Sequence, residues 1–203
     1  METPLKRSEL KGHVAKVAAE LFYRDGIHAV GVDRIALEAG VTKRTLYHHY
    51  ASKGELITAA LRVSPVITFP REGPPVDRIL GAFTALKEFL ACTDFRGCPY
   101  IFFTAELVDR YHPARHLVQR RVAQRRAWFA QMTEAAGAQD AAALAEQLDV
   151  LFDGALASGT KREDLRPAEA AINAARTLIA IACHSFDRTE ENNIVPVYRQ
   201  AAG

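Results

Sequence analysis

The most informative segment of this chain is residues 32–56, which read VDRIALEAGVTKRTLYHHYASKGEL. Two short helical patterns flank a tight turn at Gly40, since glycine tolerates the left-handed backbone that ends many helices. The first pattern predicts a helix over 32–39. The second predicts a helix over 43–49, with Thr42 as its N-cap. Two short helices joined in this way are typical of a helix-turn-helix unit, whose second helix can enter the major groove of DNA.

Longer helices are predicted on both sides of this segment. Apolar residues recur over 10–22 at the spacing of one helix face, and Gly26 is placed to end that helix. A Ser-x-x-Glu capping box that begins at Ser52 predicts a fourth helix over 53–62. Residues 1–62 are therefore predicted to form a DNA-binding domain. Its first three helices make up the helix-turn-helix fold, and the fourth helix closes the domain.

The second short helix carries hydrogen-bond donors on its outward side. Leu46 and Tyr50 are four residues apart and are expected to face inward. Residues 41–54 contain lysine and arginine but no acid, which favours contact with phosphate, although each charge could also be a solvated surface group. The predicted DNA contacts are Thr42, Lys43, Arg44, Tyr47, His48, His49 and Lys53.

This segment resembles the DNA-binding domain of the TetR family of bacterial regulators. The family pattern is roughly Ile-Ala-x-x-Ala-Gly-Val-Ser-x-x-x-Leu-Tyr-x-His-Phe-x-x-Lys-x-x-Leu. Tyr50 replaces the usual Phe, and Thr42 replaces the usual Ser. Arg44 stands where a small residue is frequent, so it could add a phosphate or guanine contact that sets operator preference. The matching residues are Ile35, Ala36, Ala39, Gly40, Val41, Leu46, Tyr47, His49, Lys53 and Leu56.

The rest of the chain, residues 63–203, is also predicted to be helical, which makes the fold class all-α. Residues 64–75 contain four prolines and a glycine and mark the domain boundary. Their apolar side chains favour packing over a free linker. Further helices are predicted at 76–92, 99–109, 113–136, 141–158 and 168–186, with a turn at 159–167.

The resemblance implies that the second domain binds a small-molecule effector and forms a homodimer. The last two helices, 141–158 and 168–186, would join their copies in a four-helix bundle. Their alanine-rich apolar faces favour such contact, but these faces could instead pack inside one chain. The apolar residues concerned are Leu144, Leu148, Leu151, Phe152, Ala155, Leu156, Ile172, Ala175, Leu178, Ile179 and Ala182.

Aromatic and apolar residues of the second domain are candidates for the effector pocket. Taken alone, each such residue more often belongs to a packed core. Glu106 could orient a polar group of the ligand, as could His112. Cys98 could be a thiolate favoured by a helix dipole or a small buried side chain. The predicted ligand contacts are Phe83, Phe102, Phe103, Glu106, Trp128, Met132 and Phe152.

The resemblance thus implies a repressor that binds a palindromic, double-stranded DNA operator as a dimer and is released by the effector. The odd number of cysteines makes a disulfide framework unlikely, which favours a cytoplasmic protein. No cofactor, metal or membrane partner is expected, because three cysteines lack metal-binding spacing and no long apolar run occurs. The net charge of +2 lies entirely in residues 1–60. An α-helical enzyme is an alternative without a catalytic motif to support it. A helical interaction protein is another, and charge reversal at Lys43 and Lys53 would separate it from a DNA binder.

Overall fold

The computed structural model describes residues 7–92 and 97–183, and the prediction of an all-α fold is confirmed for them. Nine helices account for most of these residues, and the four helices of the predicted DNA-binding domain follow one another in the predicted order. The helices are α1 (Arg7–Asp25), α2 (Val32–Glu38), α3 (Lys43–His49), α4 (Lys53–Val63), α5 (Pro75–Leu90), α6 (Pro99–Glu106), α7 (Pro113–Ala135), α8 (Ala141–Arg162) and α9 (Arg166–Cys183).

Helices α1 to α4 form the first packing unit, in which α1 lies against α2 and α4. Gly26 ends α1 with a φ of 91°, and its N–H donates to the Phe22 carbonyl at 2.9 Å. The predicted cap at Ser52 is present, because its hydroxyl accepts from the Glu55 N–H at 3.1 Å. The Glu55 carboxylate accepts in turn from the Ala51 N–H, one residue before the usual capping-box partner.

Helices α5 to α9 form the second unit, in which α8 packs against both α7 and α9. Its centre is an aromatic cluster of Phe83, Phe129 and Phe152, whose rings contact one another. The proline-rich connector is not a free linker, as predicted, since Ile67 and Phe69 pack against this core. The last three residues of the predicted helix 168–186 lie outside the described residues.

The prediction of a turn at 159–167 is wrong over its first half, because α8 continues through Gly159. This glycine is buried, and a Cβ there would lie only 2.6 Å from a methyl carbon of Leu90. Glycine at this position serves a close approach of α8 to α5. The helix ends instead at Glu163, which adopts the left-handed conformation with a φ of 51°.

Side chains of the second unit are buried in the core of the first unit. Phe103, Leu107 and Ala114 come from α6 and α7 or their connection, yet they are buried in the core of α1 to α4. In addition, the Tyr23 hydroxyl donates to the Gly97 carbonyl at 2.6 Å. A displacement of α6 or α7 would therefore act on the first unit directly.

Candidate DNA-binding surface and ligand cavity

The inner side of α3 is fixed by two buried residues. Leu46 and Tyr50 are 1% and 2% exposed, so the predicted inward face of α3 is confirmed. The Tyr50 hydroxyl donates to the Lys11 carbonyl of α1 at 2.7 Å. A phenylalanine, which is usual in the family pattern, could not make this bond. The substitution therefore ties the end of α3 to α1.

The outer side of α3 carries the predicted donors. Thr42, Lys43, Arg44, Tyr47 and His48 are all exposed, and Tyr47 retains 44% of its accessible surface. The Thr42 side chain accepts from the Thr45 N–H at 3.1 Å, so its predicted capping role is confirmed. The structure therefore brings these five residues together on one open helix surface.

Two further candidates flank this surface and are less exposed. His49 is half-buried, and burial, followed by the charge of His48, lowers its pKa. Lys53 begins α4 with its ammonium 5.9 Å from the centre of the Phe22 ring. Burial lowers the pKa of Lys53, and the Glu106 carboxylate acts in the opposite direction.

Two contacts on this surface are not evident in the sequence. The Lys43 ammonium lies 2.8 Å from the Asp33 carboxylate of α2, and the hydrogen bond between them raises the pKa of Lys43. A phosphate would have to compete with Asp33 for this cation. The Arg7 guanidinium lies 2.9 Å from Nε2 of His48, which places a further cation beside α3. No periodicity links positions 41 residues apart, so only the fold shows this pairing.

The Thr42 cap gives a first prediction. In Thr42→Ala, the Thr45 N–H at the start of α3 loses its acceptor, and we expect a loss of about 1 kcal/mol of local stability. The measurement is hydrogen exchange of the Thr45 amide. Thr42→Ser keeps the hydroxyl and should exchange like the natural protein. Equal exchange in both variants would contradict a stabilising role for the cap.

The second unit contains a partly open cavity of about 1010 Å³ between α5, α6, α7, α8 and the proline-rich connector. Of the predicted ligand contacts, Trp128 and Phe152 line it. Phe69 closes one wall by contact with both of these rings, at centroid distances of 4.6 and 5.6 Å. Connector residues such as Ile67 were not among the sequence candidates, because their pattern indicates burial without showing which void they border.

The other five predicted ligand contacts lie elsewhere. Phe83, Phe103 and Met132 are buried in the packed cores, at 0 to 3% exposure. Phe102 packs its ring against that of Tyr23 in α1. Residues that share an apolar helix face need not share a cavity, since most of that face meets other helices. We retain only Trp128 and Phe152 as proposed ligand contacts.

Glu106 belongs to the contact between the two units. Its carboxylate accepts from the Ile27 N–H at 2.5 Å, and its carbonyl oxygen lies 2.8 Å from Nε2 of His28. Its side chain also approaches Gly26, where a Cβ would lie 3.2 Å from a carboxylate oxygen. Glu106 therefore links the end of α6 to the turn between α1 and α2.

The two remaining candidates have structural explanations. His112 caps α7, because its Nδ1 accepts from the Ala114 N–H at 3.1 Å. Its Nε2 is buried next to Gly54 of α4 and has no hydrogen-bond partner among the described residues, and burial lowers the pKa of the ring. Cys98 lines the cavity, and burial raises the pKa of its thiol, which disfavours the thiolate.

The basic run of α7, which consists of Arg120, Arg121, Arg125 and Arg126, is not one solvated face, because Arg125 departs from it. Its side chain is only 14% exposed and lies at the cavity wall. Its Nε donates to Asp149 at 2.6 Å, and its two terminal nitrogens donate to Asp153 at 2.7 Å. This paired guanidinium joins α7 to α8.

Comparison with known proteins agrees with this architecture. The family model described as bacterial regulatory proteins, tetR family, matches residues 15–60. A structure of a TetR-type transcriptional regulator from Streptomyces avermitilis is 32% identical, with a TM-score of 0.71 over 85% of this chain and 97% of that chain. A TetR-family regulator from Streptomyces coelicolor is 26% identical, with a TM-score of 0.75 over 87% of this chain and 97% of that chain.

Curated relatives match over shorter stretches. The transcriptional activator FasR of Mycolicibacterium smegmatis is 47% identical over 58 residues, which cover 29% of this chain and 26% of FasR. The transcriptional repressor SCO4008 of Streptomyces coelicolor is 30% identical over 117 residues, which cover 54% of this chain and 60% of that protein. The alignments thus span about a quarter and three fifths of these relatives.

The fold and the surface of α3 define a DNA-binding protein of the helix-turn-helix class. The chain belongs to the TetR family of bacterial transcriptional regulators. Its relatives are transcription regulators, so the alternatives of an enzyme and of a helical protein that does not bind DNA are rejected. Within residues 7–92 and 97–183, none of the helices could span a bilayer.

Proposed function

We propose that this protein is a repressor that binds a palindromic operator as a two-fold dimer and is released by a small molecule. The observation that carries the proposal is the exposed row of donors on α3, held outward by the buried Leu46 and Tyr50. Such a helix fits the major groove, where donors can reach phosphates and base edges. Operator binding would take place in the bacterial cytoplasm.

Repression is favoured over activation because the match to a repressor covers more of this chain than the match to an activator. The relative named as an activator matches over 58 residues, a length close to that of the DNA-binding unit, and such a unit reads DNA in either case. The relative named as a repressor matches over 117 residues, which is too long for the first unit alone and therefore extends into the second unit. A promoter fused to a reporter gene would show the sign, because a repressor lowers expression until its effector is added.

The proposed dimer face differs from the one that the sequence indicated. Leu148, Phe152 and Ala175 are among the residues on the predicted faces that are buried within the chain itself. The outward sides of α8 and α9 instead expose Val150 and Ile181, at 63% and 57%. Uncharged and mostly small residues are exposed beside them at Ala143, Gln147, Gly154, Ala174 and Thr177, whereas the exposed Glu146 and Asp153 on the other flank of Val150 are paired with arginines of α7. A face whose exposed residues are mostly small and uncharged, and whose two carboxylates are already paired within the chain, suits a two-fold contact.

Release by an effector would use the contacts between the two units. The cavity is lined by α6 and α7, and both helices contact α4. Glu106 extends the same connection to the turn before α2. A ligand that binds one arrangement of α6 and α7 more tightly would shift the spacing of the two reading helices in the dimer. Operator affinity would then fall, because the two half-sites have a fixed separation.

A salt titration of operator binding tests the DNA-binding half of the proposal. The DNA is the region upstream of the gene for this protein, and Lys43→Ala/Tyr47→Ala is compared with the natural protein. Each lost phosphate contact should reduce the slope of log affinity against log salt by about 0.9. Arg120→Ala removes one exposed cation of α7 and serves as a control with unchanged binding. Unchanged binding by the double variant would contradict the assignment of α3.

A further inference from the structure

The charges around the cavity are strongly unequal. Among the described residues that line it, four are arginines and one is an acid: Arg71, Arg78, Arg121, Arg125 and Asp153. The acid is already occupied, since both of its carboxylate oxygens accept from Arg125. A cationic ligand would therefore find no free carboxylate among these residues, whereas an anion would find several guanidinium groups.

Arg78 is positioned to bind an anionic head group. It is half-buried, its Nε donates to the Pro70 carbonyl at 3.2 Å, and its guanidinium carbon lies 6.0 Å from the centre of the Trp128 ring. Its two terminal nitrogens have no carboxylate partner within the described part of the chain. A guanidinium held at Nε and lying near an aromatic ring presents its remaining donors as a fixed fork, the geometry that binds carboxylates and phosphates in pairs.

Arg121 adds positive charge at the opening of the cavity. It lies on the exposed side of α7, with its guanidinium 5.8 Å from the centre of the Tyr100 ring. No carboxylate pairs with it among residues 7–92 and 97–183. The remaining wall is largely apolar and aromatic, with the Phe69 ring in contact with both Trp128 and Phe152.

From this arrangement we infer that the effector is an amphipathic organic anion, whose apolar body fills the aromatic chamber and whose acidic head group binds Arg78. Arg121 increases its local concentration and contributes a second, weaker contact. This inference rests on the proposed effector site and names its chemical class. The volume of about 1010 Å³ lies at the upper end of cavities that bind small molecules, so the body can be a long chain or several rings.

The test uses N-phenyl-1-naphthylamine, a neutral dye that fluoresces in apolar cavities, bound to the full chain. Displacement of the dye is then measured for four competitors that share a ten-carbon chain and differ in head group: decanoate, decyl phosphate, 1-decanol and decylammonium. We expect the two anions to act at concentrations about ten times lower than the alcohol, and the cation to be weakest. The order of decanoate and decyl phosphate shows which acid the site prefers.

Variants connect this preference to one side chain. Arg78→Gln should remove most of the advantage of the anions over decanol, leaving only the smaller part that Arg121 contributes. It should leave the affinity for decanol unchanged, which also shows that the cavity is intact. Arg121→Gln should weaken the anions by a smaller factor, and Arg120→Gln, outside the cavity, should change nothing. Equal displacement by all four competitors, displacement by none, no binding of the dye, or an anion preference that is undiminished in Arg78→Gln would each overturn the inference.

A parallel measurement of operator binding separates this inference from the proposed function. If decanoate displaces the dye through Arg78 but leaves the operator bound, release by a cavity ligand is wrong and the chemical class of the site stands. If decylammonium is the best competitor and releases the operator, the proposed function stands and the anionic class is overturned.

Discussion

Val150→Glu is expected to convert the protein from a dimer to a monomer and to weaken operator binding about a thousandfold. Val150 is 63% exposed on the outward side of α8, where the proposed two-fold contact would bury it. In a symmetric dimer the substitution occurs twice, so two carboxylates enter an apolar contact without partners. Burying an unpaired charge costs several kcal/mol, which is comparable to the stability of many dimers.

Light scattering coupled to size-exclusion chromatography would measure the mass, and operator titration would measure the affinity. Val108→Glu is the matched control, because Val108 is 87% exposed between α6 and α7 and lies outside α8 and α9. It should remain dimeric and bind the operator normally. A dimeric Val150→Glu protein with normal affinity would mean that the two subunits meet through another face.

The helix-turn-helix segment was predictable from the sequence because the caps, turns and helix spacing that define it are local. The bounds of α3 follow from a cap at Thr42, the turn at Gly40 and the inward spacing of Leu46 and Tyr50, all within eleven residues. Capping and helix periodicity act over one or two turns, so they can be read without the rest of the fold. The same holds for the cap at Ser52.

The second unit was less predictable because its features depend on packing between distant segments. Glycine is common in turns, so Gly159 was predicted to begin one. In the fold it permits close contact between α8 and Leu90, 69 positions earlier in the chain. Phe83 and Trp128 are both aromatic residues on helices, yet only Trp128 borders the cavity. Which part of an apolar face meets a void is set by the arrangement of neighbouring helices, and no local pattern encodes it.

Arg125→Met is expected to lower the free energy of unfolding by about 3 to 5 kcal/mol. Arg125 and Asp149 are paired at 2.6 Å, with side chains only 14% and 10% exposed. Removing the guanidinium leaves a buried carboxylate without its partner, and that uncompensated charge is the main source of the loss. Asp153, the second partner of Arg125, is 53% exposed and can be solvated by water.

Arg126→Met is the matched control one position along α7. Arg126 pairs with Glu146 at 2.8 Å, but the side chains are 57% and 58% exposed. Water screens such a pair, so its loss should change the stability by about 1 kcal/mol or less. Urea unfolding of both variants at one protein concentration would provide the comparison, because the stability of a dimer depends on concentration.

The double variant Arg125→Met/Asp149→Leu distinguishes a lost attraction from a buried unpaired charge. If the unpaired carboxylate causes the loss in Arg125→Met, the double variant should recover most of the stability, because apolar residues of similar size often replace a buried ion pair without cost. If the double variant is as unstable as Arg125→Met, the guanidinium itself stabilises the joint between α7 and α8, through its contact with Asp153 or with the Phe152 ring at 5.2 Å. A loss below about 1 kcal/mol in Arg125→Met alone would contradict both explanations.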